Sequence, residues 1–148
     1  MGIPFRWVYA PYWTAAQYIS TFAMVGLIWV IQLLVYPSFR LLPPERWPRF
    51  HQHHGRRISL VVIPLMLVEV ASGLALLFTP AAPPAPVQGW QVVCLAIIWI
   101  STFAIQVPLH RRLERGHDAQ SVERLIRTNW IRTITWTAKA ALLFPSLA

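Results

Sequence analysis

A chain of 148 residues that is 56% hydrophobic and 12% charged is not built as an ordinary soluble domain, in which about a quarter of the residues are charged. Its net charge of +8 would suit nucleic acid, but the arginines cluster between apolar runs, which points to a bilayer with anionic headgroups and excludes a nucleic-acid partner. Cys94 is the single cysteine, which excludes a disulfide framework and a CxxC redox pair.

Residues 1–14 carry Pro4, Pro11 and the aromatics Phe5, Trp7, Tyr9, Tyr12 and Trp13. No apolar core leads to a small-residue cleavage site, so they read as an interfacial segment at the outer headgroups rather than a signal peptide. Four apolar stretches follow, at about 15–36, 58–78, 90–109 and 130–147. The first three match the roughly 20 residues that ~30 Å of hydrocarbon requires. The fourth is shorter and interrupted by Arg132 and Lys139, so whether it fully spans is open.

The first span is expected to end near Tyr36-Pro37, because proline removes a backbone donor. Pro43-Pro44 marks a turn. Glu45 to Arg57 reads as an amphipathic surface segment, with Trp47 and Phe50 pointing into the membrane. The second span carries Pro64 and Gly73, both tolerated where neighbouring helices satisfy the freed backbone. Thr79 to Gly89 is a short uncharged loop. The third helix is expected to continue past His110, turn near Gly116 and restart around Ser121.

Arg40, Arg46, Arg49, Arg56 and Arg57 lie between the first and second spans. Arg111, Arg112, Arg115, Arg124 and Arg127 lie between the third and fourth. This positive-inside pattern places both basic segments in the cytoplasm and both termini outside it. The expected fold is all-α, a polytopic four-helix bundle forming one integral membrane domain over 1–148. A weak repeat, Ile28-Trp29-Val30 with Pro37 against Ile98-Trp99-Ile100 with Pro108, allows two tandem helical hairpins.

Glu69 is the one acidic residue within the second span. At a bilayer centre such a charge costs roughly 2.5–3.5 kcal/mol and normally faces the bundle with a partner. Lys139, ten residues past Asn129, falls at the depth that Glu69 reaches eleven residues past Ile58, roughly 15 Å from the basic end. A buried ion pair is therefore expected. Asn129, Arg132, Trp136 and Lys139 recur at helical spacing and share a face. A cavity lined by Glu69, Arg132, Trp136 and Lys139 would take a flat, partly polar molecule such as a quinone or polyketide; a wetted vestibule is the plainer alternative.

The interfacial candidates are His51, His54, His110 and Asn129. His51 and His54 are three apart, and His110, Glu114 and His117 follow i, i+4, i+7 spacing. Such patterns suit imidazole ligation of zinc or iron, but histidines among arginines are more often surface residues, and no metal is assigned. The cofactor is unknown. There is no P-loop, dinucleotide glycine fingerprint or nucleophile elbow.

Val107-Pro108-Leu109-His110-Arg111-Arg112-Leu113 closes the third span, and Asn129-Trp130-Ile131-Arg132-Thr133 opens the fourth. This C-terminal half resembles small bacterial four-helix membrane proteins of the anthrone-oxygenase-like family. They show a similar Val-Pro, polar, x-x-Leu turn and a later Asn/Trp/Arg cluster; His110 stands where a smaller polar residue such as asparagine is expected. The resemblance implies a four-helix membrane bundle and, more remotely, oxidation of an aromatic polyketide-type substrate. The residues themselves favour a small inner-membrane binding or accessory subunit, with other membrane subunits or further copies of the chain as partners. The alternative is a small membrane oxygenase or oxidoreductase acting on a lipophilic aromatic or quinone.

Overall fold

The computed structural model describes residues 5–79 and 85–144, which form a helical bundle of four rods without strands among the described residues. The first rod is α1 (Phe5–Val30), a widened π-type segment (Ile31–Val35), α2 (Tyr36–Ser38) and a closing 3-10 turn (Phe39–Leu41). The second is α3 (Trp47–Leu77). The third is α4 (Ala85–Ser101), a second π-type segment (Thr102–Gln106) and α5 (Val107–Leu113). The fourth is α6 (Ala119–Leu143). Three stretches, Ala10–Leu41, Trp47–Leu77 and Pro86–Leu113, are long and apolar enough to cross a membrane. At 25 residues, α6 reaches about 37 Å, but it carries too much charge to qualify by composition.

Apolar side chains are abundant on the outside, and polar ones are buried alongside an apolar core. Leu60, Ile63, Leu67, Ile100 and Phe103 face outward, while Gln17, Thr21, Gln32, Glu69, Gln106, Asn129 and Lys139 are buried. A bundle in water would invert this; one in lipid must turn its polar side chains onto each other. The fold defines a helical membrane protein. Its hub is α6, which packs against α1 and α4, whereas α1 packs against α3, and α3 touches α4 little. Polar clamps fix the hub. Trp29 Nε1 donates to Thr137 Oγ1 at 3.1 Å, Gln91 Nε2 to the Lys139 carbonyl at 3.1 Å, and Tyr18 Oη to the Leu143 carbonyl at 3.0 Å.

Several expectations change. Tyr36-Pro37 does not end the first helix. The proline ring conflicts with the carbonyl four residues back, and the helix absorbs this by widening over Ile31–Val35. Pro108 repeats the device over Thr102–Gln106, so the sequence repeat has a structural counterpart. The stretch from Glu45 to Arg57 is not a separate surface segment: from Trp47 on it is the start of α3, and Trp47 is sealed in the core, donating to the Leu113 carbonyl at 2.7 Å. The aromatic N-terminal stretch, from Phe5 on, is likewise the start of α1; residues 1–4 lie outside the described residues, as do 80–84 of the expected loop and the end of the fourth stretch past Phe144. As expected, the chain turns at Gly116, whose φ of +155° favours glycine, and helix restarts near Ser121, with α6 beginning at Ala119.

Candidate functional site

Two buried polar centres occupy the bundle, and they differ in how completely their groups are satisfied. The first is built on Glu69. Its Oε1 accepts from Lys139 Nζ at 2.7 Å and Thr21 Oγ1 at 2.9 Å, and its Oε2 accepts from Trp136 Nε1 at 3.0 Å. Lys139 Nζ also donates to Thr21 Oγ1 at 2.9 Å. Gln17 bridges Thr21 to Ser72, whose hydroxyl donates to Gln17 Oε1 at 2.7 Å. Helical spacing on α1 (Gln17, Thr21), α3 (Glu69, Ser72) and α6 (Trp136, Lys139) brings all six together. Glu69 and Trp136 have no solvent exposure. This centre is a closed lock joining three helices.

The second centre lies about two helical turns along α6, toward the basic end. Asn129 and Arg132 are buried there, with Asn129 Nδ2 donating to Gln32 Oε1 at 2.9 Å and Gln32 Nε2 donating to the Ile126 carbonyl at 3.2 Å. Asn129 is thus buried in the bundle and faces the π-type segment of the first rod. Arg132 reaches Asn129 Oδ1 at 3.3 Å, sits beside the Tyr36 hydroxyl, and lies over the Trp136 ring at 5.2 Å. Its Nε has no hydrogen-bond partner, and neither has Gln106 Oε1. Buried polar atoms without partners are rare and call for an explanation.

Both residues line a cavity of about 380 Å³ in the cleft where α3 and α4 diverge. Its walls are mostly apolar, formed by Val62, Met66, Phe103 and the Trp99 ring, whose Nε1 is also unpartnered, and its polar end holds Tyr36, Gln106, His110 and Arg132. The cavity expected to include Glu69, Trp136 and Lys139 is therefore displaced. Of that quartet only Arg132 lines it, because the other three consume each other's hydrogen bonds.

Charge sharpens the contrast. The buried charged side chains among the described residues are Glu69, Lys139 and Arg132. Glu69 and Lys139 neutralise each other at 2.7 Å, which leaves Arg132 as one uncompensated cation. Arginine does not shed its proton, and an unpaired buried charge is strongly unfavourable. The polar end of the cavity thus presents an uncompensated positive charge with an unpartnered N–H donor.

A pair of histidines leads from the cavity toward the basic face. His110 Nε2 is 3.0 Å from the Tyr36 hydroxyl, and its Nδ1 is 3.2 Å from His51 Nε2. His51 stacks on Trp47 and His54 on Phe50. The i, i+4, i+7 face of His110, Glu114 and His117 is not formed, since α5 stops at Leu113 and His117 turns back to the Phe39 carbonyl at 3.3 Å. No cluster of three metal-ligating side chains converges among the described residues. Tyr36, Gln32 and Gln106 escape a reading based on charge, yet a glutamine inside an apolar span is itself a visible signal.

The fold and site together define a membrane-embedded helical bundle with a lateral polar-ended cavity. Comparison with protein-family models, curated proteins and solved structures finds no match to this chain.

Proposed function

We propose that this protein is a small integral membrane binding protein whose cavity takes a flat lipophilic molecule bearing an anionic or carbonyl oxygen, such as an acidic phenol, hydroxyquinone or polyketide. One observation carries this reading: Arg132 is a buried cation with an unpartnered Nε and no carboxylate in reach, at the polar end of an otherwise apolar cavity. The volume of about 380 Å³ lies within the range of small-molecule sites, about 300–1,000 Å³. The cleft between α3 and α4 gives such a molecule a route from the hydrocarbon. An oxygenase or oxidoreductase acting on an aromatic substrate, as the C-terminal resemblance implies, would use the same cavity.

The membrane in question is the bacterial inner membrane, crossed several times with both termini outside; the arginine distribution supports this. Larger membrane subunits or further copies of the chain would pack on the apolar exterior. Cysteine introduced at position 85 should react with an impermeant reagent from outside the cell, and labelling from the cytoplasm reverses the orientation.

The ligand test is direct. The protein purified in mild detergent is mixed with a 3-alkyl-2-hydroxy-1,4-naphthoquinone, a planar acidic probe. Saturable binding at one site that Arg132→Gln abolishes supports the assignment. Binding that is absent, or indifferent to this substitution, rejects it.

A further inference from the structure

We infer that Tyr36, His110 and His51 form a proton path between the aqueous face at the basic end and the ligand oxygen in the cavity. This inference rests on the ligand reading above and gives it a chemistry: the bound acid is protonated and released through the protein, not through the lipid. Three observations converge. The contacts are continuous, with the Tyr36 hydroxyl 3.0 Å from His110 Nε2 and His110 Nδ1 3.2 Å from His51 Nε2. The ends differ in surroundings. Tyr36 and His110 line the cavity, whereas His51 lines a separate groove on the basic face with Arg49, Arg56 and Glu114. The three residues come from α2, α5 and α3, so no single helix pattern accounts for their alignment.

Imidazole suits this task because one nitrogen accepts while the other donates. A proton reaching His51 Nδ1 lets its Nε2–H pass to His110 Nδ1. The His110 Nε2–H then passes to the Tyr36 oxygen as the Tyr36 O–H is given to the ligand oxygen. One proton leaves water and one O–H bond forms on the ligand, with no electrons transferred; ring and hydroxyl rotation resets the chain. The reverse sequence carries a proton out. The groups facing the path are Tyr36 of α2, His54 of α3 and Arg132 of α6 around His110, and Glu114 beside His51. Arg132 favours the anionic ligand and Glu114 attracts protons to the entrance, while the negative charge of the bound ligand draws the proton inward.

The enolate and enol of the naphthoquinone probe differ in visible absorption, so protonation of the bound probe can be followed after a rapid pH drop. His51→Ala and His51→Gln lie outside the cavity and should bind the probe as the unaltered protein does. Each should slow protonation of the bound probe by about a hundredfold, the scale of a lost general acid. Imidazole added to the buffer should restore the rate of His51→Ala from the groove side, a rescue that a purely structural histidine would not show. Unchanged protonation rates in a variant that binds the probe overturn the path while leaving the ligand reading intact. Failure of the unaltered protein to bind the probe overturns both.

Discussion

Lys139 Nζ lies 2.7 Å from Glu69 Oε1, and both side chains are sealed from solvent at the junction of three helices. The carboxylate is further held by Thr21 and Trp136, so each charge is compensated within the bundle. Removing one partner strands the other charge, at a typical cost of about 3–5 kcal/mol. Glu69→Gln and Lys139→Met should each destabilise the bundle on this scale. The double substitution should cost less than the sum of the two, because it strands neither charge. Unfolding by denaturing detergent measures the cycle, and strictly additive losses would contradict the pairing.

Arg132 should behave in the opposite way. Without ligand its charge is uncompensated, so Arg132→Met should raise the stability of the empty protein by roughly 1 kcal/mol or more, even though the contact with the Trp136 ring is lost. The same substitution should erase any stabilisation by the naphthoquinone probe. Thermal unfolding with and without probe reads both effects. A large loss of stability in the empty protein would assign Arg132 to structure.

Pro108 holds the third rod in its widened form over Thr102–Gln106. Pro108→Ala restores a backbone donor and lets this segment return to regular α-helix, which rotates Gln106 away from the cavity. Probe affinity should fall at least about tenfold, equivalent to about 1.4 kcal/mol, without loss of fold stability. Equal affinities would separate the π-type segment from the site.

Asp118 caps α6, accepting from Gln120 N at 3.2 Å and from the Ser121 hydroxyl. The Ser121 hydrogen bond is the main cause that holds its carboxyl below the usual carboxylate range. A depressed folded-state pKa means that the stabilisation is complete above the unfolded value, near about 4, and is lost as pH falls through the lower folded value. Asp118→Asn keeps a capping oxygen but removes the charge. It should therefore lower the thermal midpoint at pH 6, and the difference should close below pH 4. A difference that persists at low pH would mean the charge is not responsible.

Four apolar stretches, the turn at Gly116 and the shared depth of Glu69 and Lys139 are legible from the chain itself, because hydrocarbon thickness and helical rise convert residue number into position. The polar face Asn129-Arg132-Trp136-Lys139 follows from the same arithmetic. That arithmetic cannot tell which members of a face spend their hydrogen bonds on one another. Glu69, Trp136 and Lys139 do, and Arg132, one to two turns away, does not. Nor does spacing within one helix reveal that Tyr36, His110 and His51, from three helices, form a hydrogen-bonded line. The proline-induced widening of two helices and the divergence of α3 from α4 decide that, since both depend on how the rods pack. The sequence by itself determined a charged lock within a membrane bundle. Only the tertiary structure decided that the unsatisfied arginine, rather than the acid, marks the cavity.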